Sequence, residues 1–353
     1  MITREQVMER LATVMDPEIH KPITELGMVE AVEVEGDKVR CAIKLTVAGC
    51  PLSSRIEDDV RAAVAAIPGV EEVSVRLDVM TPQEREDLAN RLRPHHVSTI
   101  TKKDSTVRVL ICGSGKGGVG KSTVTVNVAA ALQSMGRSVG VLDADVYGFS
   151  VSRMLAARQQ PAVLGDGVIV PVDVHDVRVI SMGMLVDENT PVMWRGPMLH
   201  KLVDQFLNEV AWGELDYLVI DAPPGTGDVA ISLSQELPKA RVLLVTTPQE
   251  AAARVAGRVA QMAGKVGQEV IGIVENMAYF RCPNCGDAHE IFGRGGAQRL
   301  ARELHVPLLG QVPIDPALPV GGDMGEPVVW SHPETESAKV FLAIAQAVDK
   351  ATW

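Results

Sequence analysis

The chain has 353 residues, which is long enough for more than one domain, and 46% of them are hydrophobic while 22% are charged. Its formal net charge of -11 at pH 7 excludes the chain-wide basic surface expected of a nucleic-acid-binding protein. The apolar runs are too short to span a bilayer, and the first residues, MITREQVMER, carry charges where a signal peptide needs apolar ones. Five cysteines are too few for a disulfide framework, so we expect a cytoplasmic protein with reduced thiols and no nucleic-acid or membrane partner.

Residues 1–80 have the pattern of a small α+β domain. Apolar residues recur at helical spacing in TREQVMERLATVM and LSSRIEDDVRAAVAAIPG, whereas MVEAVEVEG, KVRCAIKLTV and VEEVSVRLDV alternate as strands. A turn at Gly36-Asp37 joins the first two strands, so we expect a mainly antiparallel sheet. Residues 81–106 lose the apolar rhythm and accumulate charges, which indicates a linker whose His95-His96 pair is solvated.

From Val107 to the end, residues 107–353, the pattern changes to that of an α/β domain. The strand-like runs are VRVLIC, SVGVLD, DYLVID, RVLLVTT and EVIGIVEN, and helical segments such as STVTVNVAAALQSMG and QEAAARVAGRVAQMAG separate them. Short apolar runs between helices predict a mostly parallel sheet covered by helices on both faces. The terminal ESAKVFLAIAQAVDKATW is amphipathic with only two lysines, so we expect it to pack on the core.

A glycine-rich loop, GSGKGGVGKS, follows the run VRVLIC directly. It fits the pattern G-x-x-x-x-G-K-[ST] of a P-loop, in which backbone N–H groups and the positive end of the next helix bind phosphates. The predicted ATP-binding residues are Gly115, Gly117, Gly118, Val119, Gly120, Lys121, Ser122 and Thr123. Within this set Lys121 would contact the β- and γ-phosphates, and Ser122 would bind Mg²⁺.

Carboxylates end two of the predicted strands beside this loop. Asp143 and Asp145 lie in VLDADVYG, and Asp221 lies in LVIDAPPGTGD. At the carboxyl ends of parallel strands such groups can hold the waters of a Mg²⁺ ion and orient an attacking water. The sequence therefore predicts a P-loop NTPase fold with an ATPase site.

Cys282 and Cys285 in FRCPNCG have the spacing of a metal knuckle, yet they supply only half of a tetrahedral site for Zn²⁺ or an iron–sulfur cluster. Three completions remain open from the residues alone. Local histidines could contribute, namely His289 with a fourth ligand such as His305. Other cysteines could contribute instead, namely Cys41, Cys50 or Cys112. Alternatively, a second copy of the chain could supply its own pair across a two-fold axis.

The loop contains an additional lysine, Lys116, within the stretch GKGGVGKS. This stretch resembles the deviant P-loop of the partitioning, septum-positioning, arsenite-transport and nitrogenase-reductase ATPases. In that group the additional lysine contacts the nucleotide of the partner, so the resemblance implies a homodimer with ATP between the subunits. It also implies that Asp145 positions the water, that Asp221 senses Mg²⁺ and the γ-phosphate, and that Asn276 contacts adenine.

The motifs GSGKGGVGKST, DADVYG, VMWRGPM, IDAPPGTGD, VENMAYFRCPNCG and FGRGGA, in this order, resemble those of the Mrp/ApbC (Nubp-like) iron–sulfur carrier ATPases. The resemblance implies slow ATP hydrolysis and a [4Fe–4S] cluster bridged between two copies of Cys282 and Cys285. The cluster would come from a scaffold donor and pass to apo-protein recipients. One departure is Phe149, which stands where the family usually has proline in the first switch.

The first 80 residues, with MDPEIHKPITELGMV and LTVAGCPL, are similar to a small iron–sulfur assembly domain of the MIP18-like type. This similarity makes Cys50 either an accessory thiol or a buried structural cysteine. An alternative function is a Zn²⁺-stapled dimeric ATPase of the partitioning or septum-positioning type, acting as a spatial or assembly regulator. A nitrogenase-type reductase fits less well, because it takes its cluster cysteines from two separate segments.

Overall fold

The computed structural model describes residues 2–17, 21–45, 53–81, 84, 88, 100–101, 105–146, 148–164, 167–184, 196–351 and 353. These residues form two compact units. Unit 1 comprises Met1–His96 with Ala162–Val170, and unit 2 comprises Val97–Pro161 with Pro171–Trp353. Cys50, the His95-His96 pair and most of the predicted linker lie outside the described residues.

Within the described ranges of unit 1, a three-stranded sheet and two complete helices can be traced. Its elements are α1 (Arg4–Leu11), β1 (Val29–Glu35), β2 (Lys38–Leu45), α2 (Ser53–Ala65) and β3 (Glu72–Val79). Strands β1 and β2 pair antiparallel, but β2 and β3 pair parallel, so the prediction of a mainly antiparallel sheet was wrong. The physical reason is the crossover through α2, which brings β3 back in the direction of β2.

A short hairpin from later in the chain completes unit 1. Its strands are β6 (Ala162–Val163) and β7 (Ile169–Val170), which pair antiparallel. Leu164 and Val170 of this segment are buried in the same hydrophobic cluster as Ile43 of β2 and Val60 of α2. The core of unit 1 is therefore built from two separate stretches of the chain, and no sequence motif marked the second one.

Unit 2 has the α/β architecture predicted for residues 107–353, but the hairpin within Ala162–Val170 belongs to unit 1. Its strands are β4 (Arg108–Ser114), β5 (Val139–Asp143), β8 (Val172–Val174), β9 (Val177–Ser181), β10 (Tyr217–Asp221), β11 (Arg241–Thr246), β12 (Glu269–Glu275), β13 (Phe280–Arg281), β14 (Ala288–His289) and β15 (Leu308–Gln311). Its α-helices are α3 (Lys121–Ser134), α4 (Val151–Met154), α5 (Gly196–Asn208), α6 (Asp228–Glu236), α7 (Glu250–Lys265), α8 (Gly296–Leu304), α9 (Ala317–Met324), α10 (Val328–Ser331) and α11 (Glu336–Lys350).

Over the described residues, the main sheet has eight strands in the order β15-β12-β11-β4-β10-β5-β9-β8. All neighbours are parallel except the edge pair β8 and β9. Strand β4 lies inside the sheet, and the register places Asp221 of β10 beside Cys112 of β4 and Asp143 of β5. The predicted P-loop NTPase fold, a mostly parallel sheet with helices on both faces, is confirmed, and its strand ends converge on the glycine-rich loop.

The last helix packs on the core, as its amphipathic pattern predicted. Phe341, Ile344 and Val348 of α11 are fully buried, and they belong to the same cluster as Leu132 of α3. Within the described residues, none of the helices combines the length and the apolar character that a membrane span requires.

Candidate functional site

The glycine-rich loop connects β4 directly to α3, and close packing explains two of its glycines. A Cβ atom on Gly115 would come closer than 3.0 Å to the backbone of Val255 and Ala256 in α7. Gly120 has a φ of 79°, in the left-handed region, and a Cβ there would collide with the Asn276 side chain. Both positions therefore require glycine for the loop to keep its curvature.

The loop lines a cavity of about 420 Å³. The lining residues are Ser114, Lys116, Gly117, Gly118, Val119, Gly120, Lys121, Ser122, Thr123, Asp145, Gly148, Ser150, Met154 and Pro224. A Cβ on Gly117 or Gly118 would have no atom within 4 Å, so this face of the loop is open. The cavity brings the predicted P-loop residues together with Asp145, next to the N-terminus of α3, which favours bound phosphate.

Asp221, at the end of β10, connects three side chains of α3. Its carboxylate accepts hydrogen bonds of 2.6 Å from Ser122 Oγ and from Thr125 Oγ1. Lys121 Nζ lies 2.7 Å from Asp221 Oδ2 and 3.9 Å from Asp145 Oδ2. The close pair with Asp221 holds this amine beside the cavity, and an ammonium group has three N–H donors, so the others are suited to phosphate oxygens.

Asp143 organises the segment that carries Asp145. Its carboxylate accepts hydrogen bonds of 3.1 Å from the backbone N–H groups of Asp145, Ser150 and Val151, and one of 2.9 Å from Ser181 Oγ. Burial, followed by the nearby Asp221 carboxylate, raises the pKa of Asp143 to about 7. This carboxylate holds the backbone of Asp145, Ser150 and Val151 in place, within the predicted first switch. In the sequence, only the position of Asp143 at a strand end pointed to such a role.

Asp145 and Phe149 both lie after β5, in the predicted first switch. Asp145 accepts a 3.1 Å hydrogen bond from the N–H of Gly148. The ring of Phe149 packs against Gly183, where a Cβ would collide with it. The aromatic residue that replaces the usual proline thus has a packing role of its own, and Asp145 still faces the cavity.

The two remaining predicted nucleotide residues lie on either side of the loop. Lys116 is exposed, and its Nζ donates a 3.3 Å hydrogen bond to Gln249 Oε1 before α7. Asn276 is buried after β12, and its Nδ2 donates a 2.9 Å hydrogen bond to the carbonyl of Val119. Asn276 therefore stabilises the glycine-rich loop through this hydrogen bond, and its contact with adenine stays a prediction.

The cysteine pair lies in a small hairpin formed by β13 and β14. Phe280 pairs with His289, and Cys282 donates from its N–H to the carbonyl of Asp287 at 2.9 Å. The backbone N–H groups of Cys285 and Asn284 lower the pKa of the Cys282 thiol. Stabilisation by backbone N–H groups makes this sulfur more available as a thiolate, the form that binds metals.

Arg281 anchors the hairpin to the first turn of α11. Its Nε and Nη2 donate to the two carboxylate oxygens of Glu336 at 2.7 and 2.8 Å, and its Nη1 donates to the carbonyl of Gly286 at 3.0 Å. The Tyr279 hydroxyl donates to the same carboxylate at 2.9 Å. Sequence analysis missed this anchor, since nothing in the local pattern links Arg281 to a residue 55 positions away.

The described residues contain one cluster of three metal-capable side chains, and it consists of Cys282, Cys285 and His289. Cys285 and His289 are exposed, while Cys282 is half-buried. Cys41 and Cys112 are buried in the cores of units 1 and 2, and burial raises their thiol pKa values to about 11 and about 12. Neither belongs to the metal-capable cluster. The hypothesis that other cysteines of the same chain complete the metal site therefore loses two of its three candidates, Cys41 and Cys112.

Comparison with known families identifies the chain. The family described as NUBPL iron-transfer P-loop NTPase matches residues 105–349. The chain belongs to this family. A second family, described as iron-sulfur cluster assembly protein, matches residues 4–75 and so covers most of the predicted α+β domain.

Relatives across the whole length carry the name iron-sulfur cluster carrier protein. The protein of Mycobacterium leprae is 47% identical over 97% of this chain and 91% of its own length. That of Synechocystis is 44% identical over 99% of this chain and 97% of its own, and that of Bacillus subtilis is 40% identical over 89% of each. The resemblance seen in the motifs of this NUBPL-family chain is thereby confirmed.

Solved structures agree on the fold of unit 2. A nucleotide-binding protein from Archaeoglobus fulgidus, in complex with ADP and with cobalt found in it, has a TM-score of 0.60 and 35% identity. It matches 70% of this chain and 98% of its own. The cell division ATPase MinD from Pyrococcus furiosus has a TM-score of 0.53 and 26% identity over 69% of this chain and 98% of its own.

Proposed function

We propose that this NUBPL-family protein is an ATPase that carries a [4Fe–4S] cluster, held between the Cys282–Cys285 pairs of two subunits, and transfers it to apo-proteins. The observation that carries the proposal is the anchored hairpin, which holds an exposed Cys285 and a half-buried Cys282 close together on a P-loop NTPase unit. Exposed thiolates suit a cargo that must leave, whereas a structural metal is normally enclosed. The names of the relatives, iron-sulfur cluster carrier proteins, support the same cargo.

The loop cavity accounts for the ATPase part of the proposal. Gly115 to Thr123 would wrap the phosphates, and Lys121 would contact the β- and γ-phosphates. Ser122 Oγ and the Asp221 carboxylate form the oxygen-rich pair that fits Mg²⁺, whose charge would offset that of the phosphates. Asp145 faces the cavity and would orient the water that attacks the γ-phosphorus, releasing ADP and phosphate.

A homodimer would join the two sites. Lys116 is exposed beside the cavity, where it could extend to the nucleotide of a second subunit. If two subunits meet in this way, the same two-fold symmetry would pair their cysteine hairpins and complete four thiolate ligands. ATP binding and hydrolysis, sensed at Asp145 and Asp221, would then alter how firmly the cluster is held. The protein would do this work in the cytoplasm.

Anaerobic reconstitution with iron and sulfide tests the cargo. We expect an oxygen-sensitive visible chromophore with about four iron atoms per dimer, and its loss in the Cys282→Ala/Cys285→Ala double variant. Cys41→Ala removes a buried thiol from unit 1 and serves as the matched control, which should retain the chromophore. Zinc retained without any chromophore would instead favour a zinc-stapled regulator, and a cluster held by a strict monomer would contradict the bridged geometry.

A further inference from the structure

The hairpin that carries the two cysteines also presents a histidine. One ring nitrogen of His289 and the Sγ atoms of Cys282 and Cys285 all lie within 4.8 Å of one another. Donors around a tetrahedral zinc ion are separated by about 3.5–4 Å, since the bonds to sulfur and nitrogen are ~2.3 and ~2.0 Å long. Small rotations of these accessible side chains would therefore bring all three donors onto one ion.

Backbone pairing places His289 at this end of the hairpin. His289 of β14 lies directly across from Phe280 of β13, and Cys282 follows β13 immediately. The turn between the strands is closed by hydrogen bonds of 2.9 Å from Cys282 N to the carbonyl of Asp287 and from Gly286 N to the carbonyl of Cys282. The third donor is thus fixed by the register of two paired strands rather than by a long loop.

We propose that a single subunit binds one divalent ion of the zinc class through Cys282 Sγ, Cys285 Sγ and the His289 imidazole, with a fourth position open. Two thiolates and one imidazole form a ligand set that binds zinc in preference to magnesium or calcium. Because Cys285 and His289 are exposed, water or a ligand from another molecule can reach the open position. A three-ligand site with an open position is suited to exchange, not to permanent storage.

This single-ion state shares its two thiols with the cluster, so the inference deepens the proposed function and rests on it. The bridged cluster needs four thiolates from two subunits, whereas the single ion needs three donors from one subunit. The two states therefore compete for the same sulfur atoms. Binding of the ion in the subunit would keep the site from accepting a cluster until His289 and the ion are released.

Titration of the metal-free full-length chain with Co²⁺ alone tests the ligand set, because thiolate-bound tetrahedral Co²⁺ has visible bands. The wild type should bind one Co²⁺ per chain. His289→Ala should weaken that binding by at least ~10-fold, since loss even of an outer-shell partner costs about 10–100-fold. His289→Cys should bind Co²⁺ and increase the thiolate-to-metal charge-transfer absorption, which a purely structural histidine would not do.

Two controls make the test decisive. His332→Ala replaces another exposed histidine, which lies after α10 outside the hairpin, and should bind Co²⁺ like the wild type. Cys282→Ser/Cys285→Ser should abolish the charge-transfer band. Co²⁺ affinity and spectrum unchanged in His289→Ala, or one Co²⁺ per two chains, would overturn the inference.

The outcome is separable from that of the cluster experiment. A protein that binds Co²⁺ through His289 but never forms an iron–sulfur chromophore would overturn the proposed cargo and leave the single-ion site standing. A protein that forms the bridged cluster but binds Co²⁺ independently of His289 would do the reverse.

Discussion

Arg281 and Glu336 form a two-point ion pair that ties the cysteine hairpin to the last helix of unit 2. The guanidinium donates to both carboxylate oxygens, and its third contact is with the carbonyl of Gly286 inside the knuckle turn. The same pairing lowers the pKa of the Glu336 carboxyl, chiefly through the hydrogen bond from Arg281. The helix thereby fixes the turn in which Cys282 and Cys285 lie.

Removing this anchor should loosen the metal site without unfolding the protein. For Arg281→Gln we expect the metal bound at the cysteine hairpin to pass to a chelator about two- to fivefold faster. This range corresponds to the free energy that an exposed ion pair typically contributes. Arg254→Gln, which breaks the exposed pair with Glu250 on α7, is the matched control and should leave the rate unchanged. Equal rates in all three proteins would show that the hairpin does not need its anchor.

The predicted trans role of Lys116 can be tested by mixing inactive subunits. Lys116→Ala and Asp145→Ala should each abolish ATP hydrolysis as homodimers. If Lys116 serves the nucleotide of the partner, a mixed dimer contains one complete site, and an equal mixture should recover about a quarter of wild-type activity. No recovery on mixing, with mixed dimers shown by mass, would mean that the lysine acts within its own subunit.

Much of the nucleotide site could be predicted because chain order determines it. A strand, a glycine loop and a helix follow each other directly, so Lys121 and Ser122 are placed by local sequence. Asp221 ends one buried parallel strand and Asp145 follows another, and such strands end at the same edge of a sheet. The grouping of these residues at one edge of the sheet therefore required no knowledge of distant contacts.

Other features depend on contacts that local patterns do not encode. Strands β13 and β14 have two residues each, too few to show an alternating pattern. A local histidine such as His289 was therefore only one of three open ways to complete the ligands of the cysteine pair. The partner of Arg281 is remote in the sequence. The parallel pairing of β3 and the insertion of Ala162–Val170 into unit 1 likewise follow from packing rather than from composition.

Gly115 should be essential for stability because of the helix behind it. In Gly115→Ala the new Cβ would overlap the backbone of α7, which cannot move as a side-chain end could. We expect a loss of ~1–3 kcal/mol in the free energy of unfolding, as for other overpacked sites, together with weaker ADP binding.

Gly264→Ala, on the same helix α7, is the matched control for this prediction. A Cβ at Gly264 meets nothing within 4 Å, and alanine favours a helix over glycine by up to ~1 kcal/mol. Thermal unfolding should therefore shift downward for Gly115→Ala and remain unchanged or rise for Gly264→Ala. An unfolding temperature of Gly115→Ala equal to that of the wild type would mean that α7 can shift to make room for the new Cβ atom.

A half-buried carboxylate near the end of the last helix should make stability depend on pH. Asp349 of α11 accepts hydrogen bonds from Arg137 at 2.7 Å, from Tyr217 at 2.9 Å and from Arg108 at 3.1 Å. The hydrogen bond from Arg137 is the main cause that lowers the pKa of Asp349. A lowered pKa in the folded state contributes stability above the unfolded value of about 3.9, and this contribution is lost as pH falls through the folded value.

Asp349→Asn should therefore destabilise unit 2 near neutral pH by about 1–2 kcal/mol, because a charged acceptor of several hydrogen bonds is replaced by a neutral one. The difference from wild type should shrink as the pH falls below about 4, where the carboxyl of the unfolded chain becomes neutral, and its charge-dependent part is lost below the lowered pKa of the folded state. Asp323→Asn is the control, since its pair with Arg153 is about 70% exposed on both sides and should contribute little at any pH. Thermal unfolding of the three proteins between pH 3 and 7 measures the effect. If the difference in stability between wild type and Asp349→Asn stayed constant across this range, Asp349 would stabilise α11 by shape rather than by charge.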